Sequence, residues 1–279
     1  MTQAKTACAE IVIEPNRPVL HYWRDVWRCR ELFWLLVWRD VLVRYKQTAI
    51  GISWSILRPL VTMLTFTVVF GVLAKLPSAG VPYALLVFAG MLPWNFFASA
   101  LSEGAGSLVG NANLLSKVYF PRIIVPAGSI AVSLIDFLIS LVIMMFLMLW
   151  YGFVPDWRII TLPLFLLLAF VPVAGAGLWF AALNVKYRDF RYVVPFLLQF
   201  GLYASPVGFA SSIVPGQWRL LYALNPMVAV IDGFRWALLH GNAEIYWPGL
   251  ALSTGLSLML LMSGLCYFRK TERVLADVL

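Results

Sequence analysis

Lysine and arginine are spread unevenly along this chain of 279 residues: 17 of the 21 fall in four segments that alternate with segments holding only four, and long apolar runs separate them. The basic segments are residues 1–58, the linker with Lys117 and Arg122, the linker with Lys186, Arg188 and Arg191, and the tail from Arg269. The poor segments contribute only Lys75, Arg158, Arg219 and Arg235. Because loops rich in Lys and Arg stay on the cytoplasmic side of a membrane, the alternation predicts an integral membrane protein with both termini in the cytoplasm and an even number of crossings.

Composition excludes most soluble classes. The chain is 62% hydrophobic and 12% charged, against roughly 25% charged residues in a soluble domain. Its net charge of +8 would suit nucleic acid, but the basic residues flank apolar runs instead of forming a stripe, so anionic lipid headgroups are the expected partners and nucleic acid is not. Cys8, Cys29 and Cys266 all fall on the expected cytoplasmic side, where thiols stay reduced, and their spacing suits no metal site. His21 and His240 are the two histidines and lie on opposite sides of the expected topology, which argues against a metalloprotease and against His-based acyl transfer. Glu10, Glu14 and Pro15 interrupt the first twenty residues, so no cleavable signal peptide is expected there.

The expected fold class is all-α. A crossing helix needs about 20 residues, and six stretches qualify: about 57–76, 83–109, 123–150, 159–183, 193–213 and 247–268. Turns between them are marked at 77–82 and 152–156 by Pro and Gly. Ahead of the first span, Leu20, Trp23, Trp27, Trp34, Trp38, Val41 and Tyr45 fall within one arc at helical spacing. Residues 19–50 therefore read as an amphipathic helix lying along the cytoplasmic leaflet, or alternatively packed on other protein, with residues 1–18 a flexible N-terminus. The region 211–242 carries two short apolar pieces divided by Asn225 and Pro226. It reads as two short helices dipping back into the membrane, with Asp232 and Arg235 on one face and able to pair.

Few residues suggest chemistry. Asp136 is the sharpest anomaly, a carboxylate amid the third span; insertion scales charge about 2.5–3.5 kcal/mol for it, so it should face the bundle interior and find a partner. Proton coupling and simple satisfaction by hydroxyls or backbone are both open. The stretch Gly104–Gly110 lacks the Lys and Ser/Thr of a phosphate loop, and Gly106 and Gly110 read instead as a close helix contact. No nucleotide site is apparent. Aromatic residues make up 15% of the chain and include Phe66, Phe70, Tyr203 and Phe209, which could stack on sugar rings along a channel or simply pack.

The runs RDVLVRYKQTAIGISWSILRPL (39–60), FAGMLPWNFF (88–97), SLVGNANLLSKVYFPR (107–122), LNVKYRDFRYVVPFLLQ (183–199) and YALNPMVAVIDGFRWALL (222–239) resemble the polysaccharide-export permeases of the type 2 ABC exporter superfamily. The resemblance covers about residues 33–270. It implies a homodimer of six-span subunits in the bacterial inner membrane, working with two copies of a cytoplasmic ATPase that holds the ATP and Mg. This chain itself would need no cofactor or metal and would not be an enzyme alone. Segment 111–122, with Asn111, Asn113, Leu115, Lys117, Tyr119 and Arg122, would be the coupling helix that docks into the ATPase. Lys186, Tyr187, Arg188 and Asp189 would be a second contact. Asn225, Pro226, Asp232 and Arg235 would belong to the outer gate, within about 215–239. Arg39, Arg44, Lys46 and Arg58 would meet a polyprenyl pyrophosphate headgroup, or would simply anchor the topology and bind lipid. The cargo implied is a lipid-linked O-antigen, with teichoic acid and capsule-like glycans as alternatives. A secondary flippase or a polyprenyl-sugar membrane enzyme would act without an ATPase.

Overall fold

The computed structural model describes residues 19–46, 51–78, 80–241 and 245–272. The expected flexible segment 1–18, residues 47–50 of the expected interface segment, and the tail beyond 272 lie outside the described residues. All regular structure among the described residues is helical.

The N-terminal segment forms α1 (Val19–Arg28) and α2 (Arg30–Lys46), two helices where one was expected. The break is slight, since Cys29 N–H still donates to the Asp25 carbonyl and Phe33 N–H to the Cys29 carbonyl. Trp23, Trp27, Trp34 and Trp38 are all exposed, whereas Leu36 and Val37 are buried.

The next helix, α3 (Gly51–Phe66), continues through a π-helical turn at Thr67–Leu73. Beyond it lie α4 (Tyr83–Gly110), the four-residue α5 (Ala112–Leu115), α6 (Ile124–Trp150), α7 (Leu162–Lys186) and α8 (Phe190–Ala204). The short α9 (Gly216–Tyr222) and α10 (Pro226–Leu238) lead to α11 (Trp247–Glu272). Among the described residues, five helical stretches are long and apolar enough to cross a membrane: Ser53–Leu73, Tyr83–Gly110, Ile124–Trp150, Trp157–Lys186 and Trp247–Glu272. The turn expected at 152–156 is present: Gly152 takes the left-handed conformation at φ 65°, and the Asp156 carboxylate accepts from Trp157 N–H to start the next helical turn.

The expected continuous span 193–213 is not there. α8 ends at Ala204 and has 15 residues, about 22 Å at the usual helical rise of about 1.5 Å per residue. The physical cause is Pro206, which has no N–H to give and whose ring forces the preceding residue out of the helical region. Ser205 is accordingly extended, at φ −100° and ψ 152°.

Helix α4 is the axis of the bundle. It packs between α6 and α7, with α3, α8 and α10 around its flanks. Its buried side chains Phe88, Met91, Leu92 and Phe96 join Phe137 and Met144 of α6, Phe165 and Val173 of α7, and Ile231 and Phe234 of α10 in one core. Phe96, Phe137 and Phe234 meet edge to face, with successive ring centroids 5.9 Å apart, an arrangement favoured by the ring quadrupoles. A second, smaller core gathers Leu36 of α2, Leu115 of α5, Phe120, Ile123, Ala181 and Ala182 of α7, and Phe268 of α11. The bundle end holding this second core carries Lys117, Arg122, Lys186, Arg269 and Lys270 and is the basic end; the segment 205–241 lies toward the other.

Glycines bring α7 and α11 together, although not the glycines expected. A Cβ on Gly264 would lie 2.3 Å from the Gly175 carbonyl oxygen, and one on Gly175 would lie 2.6 Å from the Leu261 nitrogen. Backbone therefore touches backbone there, the packing that membrane helices use when water cannot drive their association. Around Gly106 and Gly110 a Cβ would meet nothing within 4 Å. The close contact expected of that pair is absent among the described residues, because an open space of about 320 Å³ separates that face of α4 from Asn184 of α7 and from Phe190, Arg191 and Val194 of α8.

Gly264→Ala is expected to destabilise the purified protein by about 1–3 kcal/mol, the usual range for forcing atoms into a filled site, whereas Gly106→Ala should leave it at or above the parent. Thermal unfolding in detergent, followed by size-exclusion recovery, separates the two.

Candidate functional site

The main cavity, of about 710 Å³, opens between α2, α3, α4, α6 and α8, with Arg44, Arg58, Asn95, Glu103, Asp136 and Leu198 among its lining residues. Its position follows from how α2 is held. Arg44 near the end of α2 donates from Nη1 to Asp136 Oδ2 at 2.6 Å and from Nη2 to Glu103 Oε1. Tyr45 OH donates to Asp136 Oδ1 at 2.6 Å, and Ser55 Oγ donates to the same oxygen at 3.2 Å. The carboxylate in the apolar third span is thus satisfied by two helices, α2 and α3. Both Arg44 and Asp136 keep about a quarter of their side-chain surface, 27% and 26%, so the pair is partly shielded. Burial, followed by the neighbouring Asp136 carboxylate, pushes the Tyr45 phenol up to about 12.

The structure separates the four basic residues expected at a headgroup. Arg44 and Arg58 line the cavity. Arg39 turns instead to Asp40 and to the Asn111 side chain, each at 2.7 Å, and Lys46 is exposed outside the cavity lining. Arg58 lies over the Trp54 ring, 5.9 Å from its centroid.

At the basic end, segment 111–122 is helical only over α5, and the chain beyond it turns; the continuous coupling helix expected there is reduced to one turn. Asn111 ends α4, and its Nδ2 donates to the Ser107 carbonyl. Leu115 is buried, whereas Asn113, Lys117 and Tyr119 face outward. Arg122 closes the segment onto α11: its backbone N–H donates to Glu272 Oε1 at 2.8 Å, and its Nη1 donates to the Glu272 carbonyl at 3.2 Å. Lys186, Tyr187, Arg188 and Asp189 are exposed at the same end, with the Lys186 ammonium 5.1 Å from the Tyr187 ring centroid.

At the opposite end the break after α8 leaves carbonyls that no helix uses. Arg235, with a relative exposure of 1%, takes two of them, donating to Val207 O at 2.9 Å and Phe209 O at 2.8 Å, and ties them to α4 by donating to Leu86 O at 3.1 Å. Tyr83 OH takes the Gly208 carbonyl at 2.6 Å. The ion pair expected between Asp232 and Arg235 does not form within 4 Å, because the guanidinium is committed to backbone; Asp232 Oδ1 is buried without a hydrogen-bond partner. Asn225 caps α10 by accepting from Met227 N–H at 3.0 Å and donating to Ser205 Oγ at 2.8 Å, with Pro226 in the first turn.

The four aromatic residues expected along a channel do not line the cavity. Phe66 and Phe70, with centroids 5.4 Å apart, close around Gly208, where a Cβ would meet their rings at 2.7 and 2.8 Å. Tyr203 is exposed, and Phe209 contributes its carbonyl to Arg235. The cavity's aromatic lining comes from Trp54, Phe96 and Phe137. Sequence reasoning singled out none of these, nor Glu103 as the second anchor of Arg44. The one available signal was that Asp136 required a cationic partner.

A profile described as ABC-2 type transporter matches residues 31–239. The chain is 28% identical over 256 residues to the "O-antigen export system permease protein RfbA" of Myxococcus xanthus, covering 91% of this chain and 97% of that one. It is 25% identical over 245 residues to a protein of the same description from Klebsiella pneumoniae, covering 86% and 92%. Over 244 residues it is 25% identical to the "Polysialic acid transport protein KpsM" of Escherichia coli, covering 85% and 92%.

Arg44→Leu or Asp136→Leu alone should cost about 1–3 kcal/mol by stranding the partner charge, and the double replacement should recover much of that, since an apolar pair needs no counter-charge. A double-mutant cycle on thermal unfolding measures the coupling. Arg235→Leu, which frees three carbonyls at once, is expected to cost more than either single change.

Proposed function

This chain belongs to the ABC-2 type transporter family, a multi-pass membrane protein and transport subunit whose family implies an ABC ATPase partner, and from that premise we propose that it is the permease of an ATP-driven exporter of a lipid-linked surface polysaccharide. O-antigen is the cargo the relatives favour, two of those compared being described as O-antigen export permeases. The likeness to a polysialic acid transport protein supports a capsule-like glycan as the second reading.

The observation that carries the proposal is the large cavity itself. Inside a bundle of apolar helices, the wall formed by α2, α3, α4 and α6 presents hydroxyls, an amide and charged groups, the mixture that a hydrated glycan requires and a lipid-facing surface avoids. The α4 residues Asn95, Ser99 and Ser102 recur at helical spacing along that wall.

In this proposal the protein sits in the bacterial inner membrane as a homodimer with two ATPase subunits that carry the ATP and Mg, and both termini are cytoplasmic. The even crossing number demanded by the charge pattern is met when α8 and the extended segment after it cross together as a sixth passage, with α9 and α10 dipping back from the outer side as gate helices. The outward tryptophans of α1 and α2 suit the cytoplasmic headgroup boundary. Of the four basic residues, Arg58 is best placed to meet a polyprenyl pyrophosphate, because Arg44 is held by carboxylates and Arg39 by α4. The ATPase docks on the basic end, against Lys117 and Tyr119 and against Tyr187 to Asp189. Its motion enters the bundle through α5 and through the Arg122–Glu272 link to α11.

Co-expression with an ABC ATPase of the same operon type tests the reading. The pair is expected to co-purify and to move a polyprenyl-pyrophosphate glycan in proteoliposomes only with ATP. Lys117→Glu combined with Tyr119→Ala should reduce co-purification at least about tenfold, as loss of an interface anchor does, without changing the permease's unfolding temperature. Glycan movement by the permease alone would refute the proposal.

A further inference from the structure

The charges on the cavity wall decide which glycans suit it. Two guanidiniums, Arg44 and Arg58, and two carboxylates, Glu103 and Asp136, line the space. Arg44 bridges both carboxylates. Asp136 is also held by Tyr45 and Ser55 through its other oxygen. Glu103 keeps half of its side-chain surface, 50%, and gives only Oε1 to Arg44. Among the described residues Arg58 has no carboxylate within salt-bridge distance; its guanidinium lies over the Trp54 ring. The lining is therefore electrically balanced, with one guanidinium unmatched.

We propose that this permease selects glycans whose repeating sugars are uncharged and discriminates against glycans with a carboxylate on each repeat; the inference rests on the export reading above and specifies its cargo. The cavity of about 710 Å³ falls within the range of about 300–1,000 Å³ common to small-ligand sites, so it holds a short stretch of glycan at a time. Neutral sugars offer hydroxyl donors, and the wall supplies matching acceptors in the half-exposed Glu103 carboxylate, the Asn95 amide oxygen and the Ser99 and Ser102 hydroxyls. A carboxylate on every repeat needs a cation at every step. Arg58 can serve one anion, and that is the pyrophosphate when the lipid end is loaded. Each further acidic sugar would face Glu103 with no counter-charge, and juxtaposed like charges are a standard means of rejecting the wrong partner.

The test uses the full permease with its ATPase partner in proteoliposomes and two synthetic polyprenyl-pyrophosphate oligosaccharides of equal length, one of neutral hexoses and one with a hexuronate in each repeat. The neutral compound is expected to move at least about tenfold faster at low ionic strength, with the gap narrowing as salt screens the wall. Glu103→Gln, which removes the exposed carboxylate and keeps an acceptor, is expected to narrow the gap as well. Equal transport of the two compounds, faster transport of the hexuronate compound, or a gap unaltered in Glu103→Gln overturns the charge-selection inference and leaves the export reading standing. An assembled complex that hydrolyses ATP yet moves neither compound overturns the export reading itself.

Discussion

A carboxylate in the middle of an apolar helix is the constraint on which much of this architecture depends. Asp136 lies among the leucines, isoleucines and phenylalanine of α6, where a charge is expensive unless it is paired. Arg44, Tyr45 and Ser55 satisfy it, and all three come from segments that precede α4 in the chain. The requirement of one side chain thus clasps the N-terminal helix to the bundle. It also holds α2 and α3 so that a polar cavity opens between them and α4, and the tryptophans of α1 and α2 are left facing away from the protein.

The opposite end solves a different problem by related means. Pro206 stops α8 short, and the extended backbone beyond it carries carbonyls that a helix would have used. Arg235 and Tyr83 take four carbonyls between them, three of which belong to the unwound segment. Unwound backbone inside an apolar bundle is tolerated when protein side chains complete its hydrogen bonds, and a buried guanidinium with its five donors supplies several of them from one residue. The same commitment withholds Arg235 from Asp232, three residues before it, despite the face they share.

Legibility followed the range of the interaction. Long apolar runs exposed the five helices that, among the described residues, are long enough to cross, because each reports its own solvent. Asn225 with Pro226 marked the start of α10, since a cap is made within a few residues. The resemblance to export permeases rested on runs spread over most of the chain, and the family match over 31–239 agrees with it. Contacts between distant segments were less readable. Gly106 and Gly110 carried the spacing of a helix contact, yet it is Gly175 and Gly264 that bring two backbones together, because spacing says nothing of how closely another helix approaches. Arg44 looked like a headgroup ligand in a basic stretch, and nothing near it in sequence showed that Glu103 and Asp136 occupy it.

The order of charges and apolar runs by itself determined that this is a helical, multi-pass membrane chain with one basic end, since the cost of moving Lys or Arg through hydrocarbon applies residue by residue. Only the tertiary structure decided which groups face each other across the cavity and at the α8 break. Those choices join residues 26 to 149 positions apart, and the energy of a hydrogen bond or an ion pair depends on a separation of a few ångströms that no local pattern encodes.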